Sequence, residues 1–228
     1  MTQPKFILTD IEGTTTSVSF VYEVLFPYFR ENIHKTIELQ HLKSIQEVFR
    51  QTIELVQINE GRTINTPEEI IAVLTQWSKE DKKITPLKTL QGILWEEAYT
   101  SGTIKGHVYE DIAPALKKWK EKGIQMGVFS SGSIAAQKLI FGYSISGDLT
   151  SYFSDYFDTT TGGKREKETY QLITEKLQIQ ASEILFLSDI VEELQAAADA
   201  GLQTIQLVRE GTTANWPSTA TTFESILK

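Results

Sequence analysis

Phe6-Ile7-Leu8-Thr9-Asp10-Ile11-Glu12-Gly13-Thr14-Thr15 opens on a short apolar run and then turns abruptly polar. A run of this kind, stopped by a carboxylate and a glycine, reads as a buried parallel strand whose carboxyl end empties into a loop. The pattern returns at residues 124–129 (IQMGVF), ending at Ser130, and at 184–187 (ILFL), ending at Ser188-Asp189. A fourth run, 204–208 (TIQLV), follows an Ala-rich helical segment that stops at Gly201. Apolar strands separated by helical patterns predict an α/β fold, a parallel sheet flanked by helices. Ligands of such sheets sit beyond the carboxyl ends of the strands. Asp10, Ser130 and Asp189 all fall there.

Between the first two strands lie more than a hundred residues without strand alternation. Thr66-Pro67-Glu68-Glu69 combines an N-cap, a proline at the first helical position and a capping-box glutamate ahead of Ile70, Ile71, Leu74 and Trp77. Thr85-Pro86 repeats the start signal before Leu87, Leu90, Leu94 and Ala98. Ile45, Val48, Phe49, Ile53 and Val56 form another amphipathic face. These features predict a helical insertion over 17–105, with the α/β unit made of 1–16 and 106–228. Helical character resumes at 111–122, and Gly123 supplies a C-terminal stop.

The 228 residues exceed one average domain of about 150, which suits a main core with a smaller inserted unit. Forty per cent apolar and 23% charged residues describe an ordinary globular chain. The net charge of −8 and the lack of any Lys/Arg run argue against a nucleic-acid partner. No apolar stretch is long enough to span a bilayer, and the first residues, MTQPKFILTD, carry no cleavage pattern. A cytoplasmic location without membrane attachment is the expectation, with a small molecule as the partner. The absence of cysteine excludes disulfides and thiolate chemistry. A metal must then be held by oxygen or by His34, His41 or His107. The histidines read as structural or exposed: His34 and His41 lie on polar helical stretches, and His107 lies in the return to the core.

Four segments could carry chemistry. In Asp10-Ile11-Glu12-Gly13, two acids one residue apart before a permissive glycine can place one acid and a backbone carbonyl on a cation while the second acid faces a substrate. An acidic strand-to-loop turn is the other reading. Ser130-Ser131-Gly132-Ser133 opens a helix over 134–141, where hydroxyls and free N–H groups can receive an anion. Ser133 also reads as an N-cap, and Ser130 and Ser131 as turn residues. Lys164, after Gly162-Gly163 and ahead of a helix that starts near Glu166, can act as a compact cation against phosphate or rest as a solvated lysine. Asp189 is placed to bind a metal, Glu193 to support it, and Glu192 to favour a helix start.

Asp-x-acid-Gly-Thr, then Ser, then Lys, then Ser-Asp with a later acid, each at a strand end or adjoining loop, resembles the four motifs of the haloacid dehalogenase superfamily. The resemblance implies a Rossmann-like core and a helical cap inserted between the first two motifs. It also implies Asp10 as the nucleophile that forms an aspartyl-phosphate, Ser130, Ser131 and Lys164 as phosphoryl binders, and one magnesium ion per subunit on Asp10, Glu12 and Asp189. A signalling receiver domain also phosphorylates an aspartate, but it places that residue after a later strand and has about half this length, with no cap. A metal-free dehalogenase fits Asp189 and Glu193 poorly.

Most phosphatases of the superfamily carry aspartate where this chain carries Glu12. DIEGTT at 10–15, SSGS at 130–133 running into AQKLIFG, and Trp77, Asp81, Leu87-Lys88, Leu90-Gln91-Gly92 and Trp95 are similar to the enolase-phosphatases of methionine salvage. That family implies enolisation of 2,3-diketo-5-methylthiopentyl-1-phosphate followed by its dephosphorylation to the acireductone 1,2-dihydroxy-3-keto-5-methylthiopentene; a monomer is the expectation. A phosphatase of another small phosphate ester is the alternative. Glu12, longer by one methylene than the usual aspartate, is the candidate acid–base, joining Asp10 and Lys164 as catalytic residues, or its length compensates for a slightly different cap position. Val18, Phe20, Val21 and Tyr22 either line a pocket for the methylthio tail or pack the cap.

Overall fold

A computed structural model describes residues 3–227. The chain divides into two compact units, one made of the N-terminal segment through Val18 with Lys105 onward, the other of Ser19–Ile104.

The first unit is built on a six-stranded parallel sheet in the order β3-β2-β1-β4-β5-β6, with β1 Phe6–Thr9, β2 Gln125–Phe129, β3 Asp155–Phe157, β4 Ile184–Ser188, β5 Gln203–Leu207 and β6 Thr219–Ala220. Every residue of β1 and β4 is buried, as their unbroken apolar character requires of central strands covered on both faces. Phe6, Phe129, Phe157, Tyr170, Ile173 and Phe186 lead the core between the sheet and its helices. The register sets the functional geometry: Thr9 lies opposite Val128 of β2 and opposite Leu187 of β4. The three strands therefore end nearly level, and Asp10, Ser130 and Asp189 emerge at one edge of the sheet.

Helices α5 Ile112–Glu121, α6 Ile134–Gly142, α7 Lys167–Leu177 and α8 Val191–Asp199 connect the strands, so in chain order the inserted unit's helices take α1 to α4. Gly123, at φ +74, stops α5 in the left-handed conformation that glycine adopts without strain. β3 and β6, three and two residues long, are too short to show a period in the sequence. Where the chain leaves and re-enters this unit, three bonds join the two crossings. Thr16 Oγ1 donates to the His107 carbonyl at 2.7 Å, Ser17 N–H donates to His107 Nδ1 at 3.1 Å, and Tyr109 N–H donates to the Thr15 carbonyl at 3.0 Å.

The second unit is helical: α1 Phe26–Asn32, α2 Lys43–Glu60, α3 Pro67–Lys79 and α4 Thr85–Thr100. Its own core gathers Phe29, Val48, Leu74, Trp77, Leu90 and Leu94. The Thr66 and Glu69 side chains form the reciprocal capping box that the sequence predicts. Thr85 differs from expectation: it is the first helical residue, and Ile84 precedes it with no side-chain cap. His41 also differs, lying in a turn beyond the 3-10 segment Ile33–Ile37 that contains His34. Phe20 and Val21 are buried on a π-helical turn, Phe20–Leu25, whereas Val18 and Tyr22 are exposed.

Candidate active site

At the strand ends Asp10 pairs with Lys164, Glu12 pairs with Ser130, and Asp189 packs against the Gly13 turn, while Ser131 is half-buried in the same loop as Ser130. Asp10, only 3% exposed, follows β1 directly, and its N–H is held by the Leu187 carbonyl of β4 at 2.9 Å. Lys164 Nζ lies 2.6 Å from Asp10 Oδ1 and 2.6 Å from Glu193 Oε2, with its side chain 8% exposed. The solvated-lysine alternative is therefore wrong. The Lys164 backbone is fixed from α7, where Tyr170 donates its hydroxyl to the Lys164 carbonyl at 2.7 Å. Gly162 lets that loop approach: a Cβ there would come within 2.2 Å of Thr169 Oγ1.

Glu12 lies across from β2, accepting a hydrogen bond from Ser130 Oγ at 3.3 Å. Ser130 Oγ itself accepts from Gly132 N–H at 3.1 Å. Ser133 is the N-cap of α6, taking Ala136 N–H at 3.2 Å, and Ile134 N–H goes to Asp158 Oδ2 at 3.3 Å. The N–H groups that the sequence offers to an anion here are thus partly taken by the protein itself.

Asp189 completes the edge. Its carboxylate lies against the turn at Gly13, so closely that a Cβ on Gly13 would meet Asp189 Oδ2 at 2.4 Å and Cγ at 2.6 Å. Gly13 has φ +75, so both its backbone and its missing side chain are needed. Behind the site, Ser188 Oγ donates to Glu193 Oε2 at 2.9 Å, steering that acid toward Lys164.

A haloacid dehalogenase-like hydrolase family model matches residues 4–201. The chain is 51% identical over 211 residues to enolase-phosphatase E1 of Picosynechococcus sp., covering 92% of each chain. It is 50% identical to enolase-phosphatase E1 of Pseudomonas aeruginosa over 98% of each. The chain belongs to the enolase-phosphatase E1 family. Among solved structures, the UTR4 protein of Saccharomyces cerevisiae superposes with a TM-score of 0.80 at 34% identity, over 98% of this chain and all of that one.

In this member of the enolase-phosphatase family the site carries excess negative charge. Asp10 and Glu193 pair with the ammonium of Lys164, and Glu12 and Asp189 lie close enough to add their charge to the site. Burial works against the Lys164 charge, but Asp10 and Glu193 more than offset it and hold its pKa above the ordinary lysine range. Burial pushes the Asp10 carboxyl upward, opposed in part by Lys164 and reinforced by Glu193 and Glu12. Burial likewise raises Asp189 to about 6, and Glu193 adds to the rise.

These features test whether magnesium fits. Among the described residues no three His, Cys, Asp or Glu side chains gather into a ready-made metal cage. Magnesium, however, commonly binds through one or two carboxylates, completing its shell with waters and substrate phosphate. Asp189 Oδ1 is buried without a hydrogen-bond partner among the described residues, and the surplus of acids over cations calls for a positive charge. The oxygen donors suit a hard cation.

Three supports were not visible as chemistry in the sequence. Asp158, after β3, takes Ile134 N–H and also Thr160 N–H at 2.9 Å, joining the serine loop to the segment that delivers Lys164. Arg209 donates from Nε to the Thr14 carbonyl at 3.1 Å and pairs with both oxygens of Asp111 at 3.0 and 2.9 Å. Gln206 reaches the Asp189 carbonyl at 3.0 Å. The only available signal for Gln206 was a polar residue inside the apolar run Ile205–Val208.

Proposed function

We propose that this chain is a magnesium-dependent enolase-phosphatase of methionine salvage that acts in the cytoplasm as a monomer. Its substrate is 2,3-diketo-5-methylthiopentyl-1-phosphate, which it enolises and then dephosphorylates through an aspartyl-phosphate to the acireductone 1,2-dihydroxy-3-keto-5-methylthiopentene. The observation that carries this reading is the pairing of Asp10 with Lys164 and of Glu12 with Ser130 beside the level ends of β1, β2 and β4, in a chain half-identical to named enolase-phosphatases. No helix of the described residues is long and apolar enough to cross a membrane.

Asp10 is the nucleophile: a carboxylate oxygen bonds to phosphorus as the bond from phosphorus to the substrate oxygen breaks. Lys164 holds Asp10 in place and offers its ammonium to the phosphoryl oxygens, with Ser130 and Ser131 as hydroxyl donors beside it. Ser130 Oγ, now bonded to Glu12, is free to turn to a phosphoryl oxygen when one is present. Asp10, the Glu12 carbonyl and Asp189 would hold one magnesium ion, which when bound neutralises phosphate charge and polarises the diketone oxygens.

Glu12 serves both steps. In enolisation it takes the proton from the carbon bearing the phosphate ester and passes it to the oxygen that becomes the enol hydroxyl. In hydrolysis it takes a proton from the water that adds to the phosphorus of the aspartyl-phosphate. Orthophosphate leaves, Asp10 returns as a carboxylate, and the proton taken from water is released to solvent, balancing the acireductone that departed as its enolate when the aspartyl-phosphate formed. Acid-quenched turnover should leave phosphate on the peptide that contains Asp10, and the Asp10→Asn protein should carry none. Label on any other residue would overturn the assignment. Glu12→Asp, turned over in deuterated water, should slow deuterium entry at that carbon more than it slows hydrolysis of a simple phosphate ester. Equal losses would remove Glu12 from enolisation.

A further inference from the structure

The Asp189 carboxylate is bounded by the Gly13 turn, but its main chain follows the last residue of β4 and needs its own anchor. Gln206 of β5 provides one. The β4–β5 register sets Gln206 directly opposite Ser188, one residue before Asp189, so a side chain of this length reaches the next carbonyl. Gln206 is 1% exposed, although a glutamine is normally kept near water. Its burial is matched by full use of the amide. Nε2 donates to the Asp189 carbonyl at 3.0 Å and to the Thr213 carbonyl at 3.1 Å, and Oε1 accepts from Asn215 N–H at 2.9 Å. Both donor hydrogens are used on carbonyls, and the acceptor is used on the Asn215 N–H.

We propose that Gln206 is a positioning residue for magnesium binding, tying Asp189 to the exposed segment Thr213–Asn215 so that ordering of one favours the other. The inference rests on the reading of Asp189 as a metal ligand. Its physical basis is the chain of bonds from Asn215 N–H through the Gln206 amide to the Asp189 carbonyl. If that chain loosens, the Asp189 main chain can rotate its carboxylate off the position set by Gly13. Partners behind a metal ligand typically carry a tenfold to hundredfold effect on metal affinity. Because linkage is reciprocal, magnesium should in turn hold the Asn215 N–H more firmly on Gln206.

The test uses the whole protein without substrate, titrated with magnesium chloride by calorimetry and by the rise in Tm, with amide exchange read at Asn215. Gln206→Leu should weaken magnesium binding about tenfold or more. In the wild type, magnesium should slow exchange at Asn215, and in Gln206→Leu it should not. Gln206→Glu keeps the size and the acceptor for Asn215 but loses both donors. It should show the same weakened affinity, and it serves if the leucine variant does not fold. Trp216→Phe is the structural comparison: it removes the 3.0 Å bond from Trp216 Nε1 to Thr204 Oγ1, near the same segment, without touching Asp189. It should lower Tm while leaving the magnesium dissociation constant unchanged. Asp189→Asn separates the two levels. If it keeps wild-type magnesium affinity, the metal-ligand reading falls and the inference with it. If it loses that affinity while folded Gln206→Leu or Gln206→Glu binds like the wild type, the inference alone is overturned.

Discussion

Gly13→Ala replaces a hydrogen with a methyl group at a crowded point of the site. The new Cβ would stand 2.4 Å from Asp189 Oδ2, whereas real Cβ atoms essentially never come under 3.0 Å, so Asp189 must retreat by at least 0.6 Å (3.0 less 2.4). Reacting groups tolerate little misplacement, and a shift of about 1 Å costs on the order of a hundredfold in rate. A loss of roughly tenfold to a hundredfold in kcat/KM follows. The backbone at φ +75 adds about 1 kcal/mol of strain for alanine. In a chain of this size that lowers Tm by about 2–4 °C. Gly61→Ala isolates the backbone cost, since Gly61 ends α2 at φ +66 with nothing within 4 Å of its Cβ position. Gly61→Ala should show this fall in Tm and Gly13→Ala at least as large a one, but only Gly13→Ala should lose phosphate release from a simple phosphate ester at saturating magnesium. If Gly13→Ala keeps the activity of Gly61→Ala, placement of the Asp189 carboxylate does not limit the reaction.

Asp10→Asn should end phosphate release in freshly prepared protein while leaving the circular dichroism spectrum unchanged, because an amide of nearly the same shape is a poor nucleophile. Arg209→Met should cost about 3–5 kcal/mol in urea unfolding, since it leaves Asp111 buried without its cation. Burial and the nearby Arg209 lower the His107 pKa, so the unfolded chain binds this proton more readily and stability falls as pH drops below the ordinary value of 6.5. Protonation would also take Nδ1 away from Ser17 N–H. His107→Asn keeps an acceptor near that place without titrating, and Tm measured from pH 7.5 to 5 should decline less steeply than in the wild type. An unchanged slope would remove His107 from the acid response.

What could be read from the sequence was local. β1, β2, β4 and β5 were legible because each is an apolar run with a polar stop, and Asp10, Ser130 and Asp189 because each is the stop itself. The Thr66 capping box was legible because both partners lie within one turn. The helical turns over Phe20–Asn32 showed no stripe, since apolar residues are dense there and several faces are covered. β3 and β6 fall below the length at which alternation can be seen. The Arg209–Asp111 pair spans 98 residues, and neither member lies in a motif, so only the folded chain joins them. Gln206 is similar: its meaning comes from the register that sets it beside Ser188.

The most direct test is to supply the purified protein with 2,3-diketo-5-methylthiopentyl-1-phosphate and follow acireductone absorbance and phosphate release together, with magnesium and after its chelation. With magnesium, both products should appear in equal amounts, and chelation should stop both until the ion is restored. Phosphate release from other small esters with no acireductone from the diketone would contradict the enolase assignment, and full turnover in metal-free buffer would contradict the role given to Asp10, Glu12 and Asp189 in holding the ion.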